Sequence, residues 1–223
     1  MKKLLLIAAA SATILSSTLS FADSMDDNQW YLKANAGASM FNKAKIEGQK
    51  LKSNTAFVGE IGAGYYIMDN VRADITLGMV SNAEFKLKTP YVDEYGNTVN
   101  SIKVKPNITS LLLNGSVDFV DVDMFKIFAT GGIGAALVKE KITTSAVDSD
   151  GDALNISNST KKNNYNFAWQ AGIGASAEVA DGVKAELVYS WKDYGKAKAK
   201  KDLGKSNIRY KGHNIMAGIR FDI

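Results

Sequence analysis

Basic side chains crowd one stretch near the C-terminal end. Lys192, Lys196, Lys198, Lys200, Lys201, Lys205, Arg209 and Lys211 are opposed only by Asp193 and Asp202. Positive charge at this density attracts polyanions: sulfated glycans, anionic protein segments, or lipid phosphates. A solvated loop whose lysines serve solubility has the same composition, so both readings stand at this point. A second basic stretch, Lys43, Lys45, Lys50 and Lys52, would add to the same field if the two lie close together.

Other chemistry is thinner. Nucleophilic catalysis needs a base within hydrogen-bond reach of a hydroxyl, and His213, the only histidine, has Ser190 as its conceivable neighbour. The alternation described below places the two on opposite faces, so the expectation is a rim histidine and no catalytic residue. Asp148-Ser149-Asp150-Gly151-Asp152 alternates oxygen ligands as a calcium loop does. Its glycine is out of place, however, and Ser159 stands where a closing glutamate belongs, so a plain acidic turn is expected. Gly131-Gly132-Ile133-Gly134 is followed by no helix N-terminus, and strand packing explains it better than phosphate binding. Sequons begin at Asn107, Asn155 and Asn158, a tripeptide short enough to occur by chance. Cysteine is absent, which removes disulfides and thiolate metal sites. No metal, cofactor or nucleic-acid partner is expected.

Any of these groups must be held by the elements around them, and those start after a leader. Lys2 and Lys3 precede an apolar run from Leu4 to Leu15, and Ser20-Phe21-Ala22 offers small residues for cleavage. That pattern predicts a signal peptide over 1–22 and a single domain over 23–223. Loss of the two lysines lowers the formal charge from +4 to +2, so the overall balance says less than where the charge sits.

Along the rest of the chain the dominant period is two. Eight segments show it: 30–40, 57–65, 71–79, 110–119, 126–137, 166–178, 183–192 and 214–223. In the third, Val71, Ala73, Ile75, Leu77 and Met79 oppose Arg72, Asp74, Thr76 and Gly78. Each segment is close to the ~10 residues a tilted strand needs to cross hydrocarbon. Both prolines, Pro90 and Pro106, are expected between strands. Connections alternate between tight turns (68–70, 120–124, 180–182) and long polar stretches (42–54, 81–106, 139–164, 193–209). Trp30, Tyr65, Phe119 and Phe221 fall near one rim, and Phe57, Phe167, Trp169, Trp191 and Tyr210 near the other, as two interfacial girdles do.

The fold class that follows is all-β: an eight-stranded antiparallel transmembrane β-barrel with short periplasmic turns and four long extracellular loops. A soluble sandwich is the alternative, but it has no reason to alternate its connections in this way. A charge at the bilayer midplane costs ~2–4 kcal/mol, so Glu60, Arg72, Asp74, Asp118, Lys126, Glu178, Lys184, Glu186 and Arg220 are expected to point inward as a lumen charge network. Side chains fill an eight-stranded interior, which makes a wide diffusion pore a poor expectation.

The ending Ala217-Gly218-Ile219-Arg220-Phe221-Asp222-Ile223 resembles the assembly signal of outer-membrane barrels, with Ile223 where Phe is usual. Three stretches, Gly59–Asn70, Val183–Trp191 and Tyr210–Gly218, resemble the opacity-type surface-antigen barrels and among them the candidate adhesins of rickettsiae. The resemblance spans the leader and all eight strands and is weakest in the long loops. It implies location in the outer membrane and adhesion to host cells, with capture of host serum proteins such as vitronectin. The alternatives are a structural or lipopolysaccharide-binding barrel and, third, a lipid A-modifying enzyme.

Overall fold

The computed structural model describes residues 29–42, 44–46, 49–87, 91–92, 98–122, 125–147, 153–154, 161–198 and 207–223. The leader expected over 1–22 and the acidic turn at 148–152 lie outside the described residues. Alternating β-branched, aromatic and small residues produce thirteen strands here: β1 (Trp30–Phe41), β2 (Ala44–Ile46), β3 (Gln49–Ser53), β4 (Thr55–Met68), β5 (Val71–Ser81), β6 (Phe85–Leu87), β7 (Tyr91–Val92), β8 (Thr98–Val122), β9 (Phe125–Val147), β10 (Ala153–Leu154), β11 (Lys161–Ala180), β12 (Val183–Lys198) and β13 (Asn207–Asp222).

Eight of them, β1, β4, β5, β8, β9, β11, β12 and β13, pair antiparallel in chain order. The ring closes where β13 pairs β1, with Ala217 opposite Ala36 and Ile219 opposite Ala34. Closure leaves the barrel no free sheet edge. The short pieces β2, β3, β6, β7 and β10 lie in the long connections at one end.

Burial is inverted relative to a soluble domain. On β5, Arg72, Asp74 and Thr76 are at most 3% exposed, whereas Ile75 is 56%, Leu77 49% and Met79 54% exposed. The same alternation exposes Leu111, Leu113, Val117 and Phe119 on β8 and buries Ser110, Asn114, Ser116 and Asp118. Hydrocarbon is the solvent that accepts such a surface, and the polar groups turn inward because lipid cannot satisfy them.

The connections differ from expectation in two places. Strands β8 and β9 run into the stretches 81–106 and 139–164, so residues 98–106 and 139–147 are β-ladder standing beyond the apolar band. Pro106 is correspondingly inside β8, opposite Glu140, not between strands. Its missing N–H is tolerated because β8 has a gap in pairing on its other side: Val104 meets Phe85 of β6 and Ile108 meets Val80 of β5. Pro90 lies outside the described residues. At the opposite end, Asp69-Asn70 and Asp181-Gly182 are two-residue turns, and Gly182 supplies the φ of 66° that its turn requires.

Candidate functional site

The interior has two zones. In the half nearest the short turns, charged groups meet in pairs. Arg72 pairs with Asp118, and Arg220 Nη1 donates to Glu186 Oε1 at 2.7 Å. Asp74 accepts from Lys33 Nζ at 2.7 Å, Tyr31 Oη at 2.9 Å and Asn114 Nδ2 at 2.7 Å. Lys184 pairs with Asp222, which also accepts from Tyr66 Oη at 2.8 Å. Higher up, Lys192 pairs with Glu60. The guanidinium groups also lie over aromatic faces, Arg72 at 4.3 Å from the Phe128 centroid and Arg220 at 5.5 Å from that of Tyr31.

Two of the nine charges expected in this network stand outside it. Lys126 is half-buried at the rim and pairs with exposed Asp121 at 2.8 Å, and Glu178 is exposed beside a bulge in β11. Both sit at strand ends, where the alternation no longer sees hydrocarbon. Lys192 departs in the other direction. Its position beside the basic stretch suggests a surface charge, but β12 continues through it, and it is 1% exposed in the lumen.

The half toward the long connections is apolar inside. Phe41, Phe85, Tyr194 and Tyr210 meet in tilted and edge-to-face contacts with centroids 5.7–6.3 Å apart, clustered with Val80, Val104, Ile108 and Val138. Tyr210 is thus 0% exposed and belongs to this plug, not to the outer girdle in which its spacing alone would place it. Its hydroxyl donates to Glu140. Burial, reinforced by the Glu140 charge, holds that phenol protonated well above the ordinary tyrosine range.

Of the basic residues singled out in the sequence, Lys52 and Lys196 are exposed, and Arg209 is tied to Asp193 through Nε at 2.6 Å. That hydrogen bond, and then the Asp193 charge, raises the Arg209 pKa. Lys45, Lys50 and Lys198 are described only by strand register, opposite Lys50, Lys45 and Asn207. Lys43, Lys200, Lys201 and Lys205 lie outside the described residues. The two basic stretches do approach each other, since Asn42 N donates to the Lys211 carbonyl at 2.9 Å. His213 faces outward and shares a 2.7 Å hydrogen bond with Tyr189 Oη, whereas Ser190 is 1% exposed in the lumen. The barrel wall separates them.

A different basic surface was hidden in the sequence. On the outer wall above the apolar band, Lys52 is opposite Lys86, and Lys86 is opposite Lys103. One row away, Lys105 is opposite Lys141, which in turn is opposite Lys161. Lys139 stands beside Lys141 two residues nearer the band. Lys52, Lys86, Lys103, Lys105, Lys139 and Lys141 are all exposed. The alternation Lys103-Val104-Lys105 and Lys139-Glu140-Lys141 signals it, but only once both stretches are recognised as strand.

A closed ring of eight strands, lipid-facing outside and ion-paired inside, defines an integral outer-membrane barrel. The chain belongs to the outer membrane protein beta-barrel domain family, whose model matches residues 5–221. Over its whole length it is 52% identical to a candidate adhesin of Rickettsia conorii and 52% identical to one of Rickettsia bellii, covering 100% of each relative. Among solved structures it resembles the neisserial surface protein NspA, with a TM-score of 0.54 at 14% identity, covering 87% of this chain and 97% of that one. A major outer membrane protein of Thermus thermophilus gives 0.52 at 8% identity, covering 86% and 98%. The protein is therefore located in the outer membrane, and the two rickettsial relatives carry adhesin names.

Proposed function

We propose that this barrel is a non-enzymatic adhesin whose extracellular end binds a host cell-surface or serum protein of the vitronectin type. The observation that carries the reading is the filled interior: ion pairs occupy one half and an aromatic plug the other. Eight strands leave room for side chains and not for a wide aqueous channel, so function moves to the outside. The extended strands β8, β9 and β11 lift the long connections away from the bilayer, where a host protein can reach them. The full-length similarity to candidate adhesins supports the same assignment.

The contacts proposed are the basic connections Lys43, Lys45, Lys50 and Lys52, and Lys196, Lys198, Lys200, Lys201, Lys205 and Arg209. The test is binding of refolded, heat-modifiable barrel to immobilised vitronectin at two salt concentrations. Changing Lys196, Lys198, Lys200, Lys201 and Lys205 to glutamine should weaken binding and flatten its salt dependence. Unchanged binding by a correctly folded variant removes that connection from the site, and no binding by the parent protein removes vitronectin as the ligand.

A further inference from the structure

We infer that the outer wall formed by β3, β6, β8 and β9 is a binding site for an anionic glycolipid of the outer leaflet, held by Lys52, Lys86, Lys103, Lys105, Lys139 and Lys141. This site shares Lys52 with the connections proposed to contact host proteins, and its other five lysines lie outside them.

The first argument is electrostatic. Lys52, Lys86 and Lys103 are direct cross-strand neighbours, as are Lys105 and Lys141. Like charges directly opposite each other in a sheet destabilise it. Glu84 offsets one of them, pairing with Lys86 at 3.4 Å; among the described residues no carboxylate pairs with the other five. Glu140, flanked by Lys139 and Lys141, is turned inward to Tyr210. The sheet thus carries a repulsion that an external anion would relieve.

The second argument is position. The last apolar outward residue before the lysines is Leu137 on β9 and Leu111 on β8. Lys139 follows two residues later and Lys105 six residues earlier in the chain. With ~3.4 Å per residue and a ~45° tilt, these lie about 5 Å and about 14 Å beyond the hydrocarbon edge. A phospholipid headgroup layer is only about 5–8 Å deep. The charges therefore match a lipid whose phosphates and acidic sugars continue well above its acyl chains, that is, a lipopolysaccharide. They face sideways from the wall, where the outer leaflet is already in contact. A soluble sulfated glycan would have to displace that lipid.

The experiment uses the refolded full barrel, the variant K103Q/K105Q/K139Q/K141Q, and the two double variants K103Q/K105Q and K139Q/K141Q in case the fourfold change impairs folding. The probes are purified lipopolysaccharide, the same lipopolysaccharide after dephosphorylation, and soluble heparin. Binding is read by titration in uncharged detergent, with folding checked by heat-dependent gel mobility. The parent should bind intact lipopolysaccharide at least about tenfold more tightly than the dephosphorylated form, and the fourfold variant should lose that advantage. Each double variant should lose part of it. In phosphatidylcholine vesicles the variants should be at least as heat-stable as the parent, because the like-charge repulsion is gone. Equal lipopolysaccharide binding by parent and variants overturns the assignment. So does loss of heparin binding with lipopolysaccharide binding intact, which would make the wall a glycan site. Because host-protein binding is measured separately, its failure leaves this result readable.

Discussion

Lys192 and Glu60 show what a single buried charge demands. Lys192 is 1% and Glu60 7% exposed, and they find each other from strands 132 positions apart. Two ions removed from water recover their desolvation only when the pair is intact, and removing one partner strands the other at a cost of about 3–5 kcal/mol. Lys192→Met should therefore lower the stability of the folded barrel by about that amount, while Glu60→Gln/Lys192→Met should restore most of it. Urea unfolding in detergent, followed by gel mobility, compares the three; equal stabilities for the single and double variants would contradict the pairing. Residue type alone was enough to place Glu60 inside, because alternation fixes its face. It was not enough for Lys192, whose neighbours in sequence are the lysines of a long connection. The deciding fact is that Glu60 reaches it from β4, and pairing between distant strands leaves no trace in local composition.

At the scale of strands, small inward residues set how closely large ones can pack. A Cβ added at Gly174 would stand 2.3 Å from the Phe128 ring, and one added at Gly64 would stand 2.3 Å from the Tyr31 ring. These rings are the faces over which Arg72 and Arg220 lie. Glycine on β11 and β4 thus makes the space in which the guanidinium groups are held. Gly174→Val should destabilise the barrel by about 1–3 kcal/mol through overpacking, and Phe128→Leu in the same chain should recover part of the loss. A Gly174→Val barrel as heat-resistant as the parent would show that Phe128 moves freely. The eight crossing segments were legible because hydrocarbon imposes alternation across about ten residues. The upper parts of β8, β9, β12 and β13 were not, because beyond the bilayer either face tolerates polar side chains. There Lys103, Lys105, Lys139 and Lys141 look like loop charges, and Tyr210 looks like a girdle aromatic. Register with β6, β9 and β11 places those lysines in strands, and burial against Phe41 and Phe85 places Tyr210 inside.

The whole molecule is a vertical sequence of solvents: water at the short turns, hydrocarbon, a charged layer, and water again at the long connections. Its outer surface changes with them, from Trp30 and Tyr65 at one rim, through Ile61, Ile75, Leu113 and Ile133, to Tyr165, Phe167 and the lysines. The cost of a charge should therefore depend on height and not on local secondary structure, since all these positions are β-strand. Ile75 lies midway along the apolar face of β5 and is 56% exposed. Ile75→Arg should cost about 2–4 kcal/mol and lower the yield of folded barrel in vesicles. Thr109→Arg on β8, between the band and the lysine wall, should cost no more than about 1 kcal/mol. Folding into phosphatidylcholine vesicles, assayed by protease protection and heat-dependent mobility, measures both. Equal penalties at the two sites would show that the apolar band does not mark the bilayer. The same contrast places the lysine wall, because a charge layer that begins where Ile75-type penalties vanish is one that lipid headgroups must already surround.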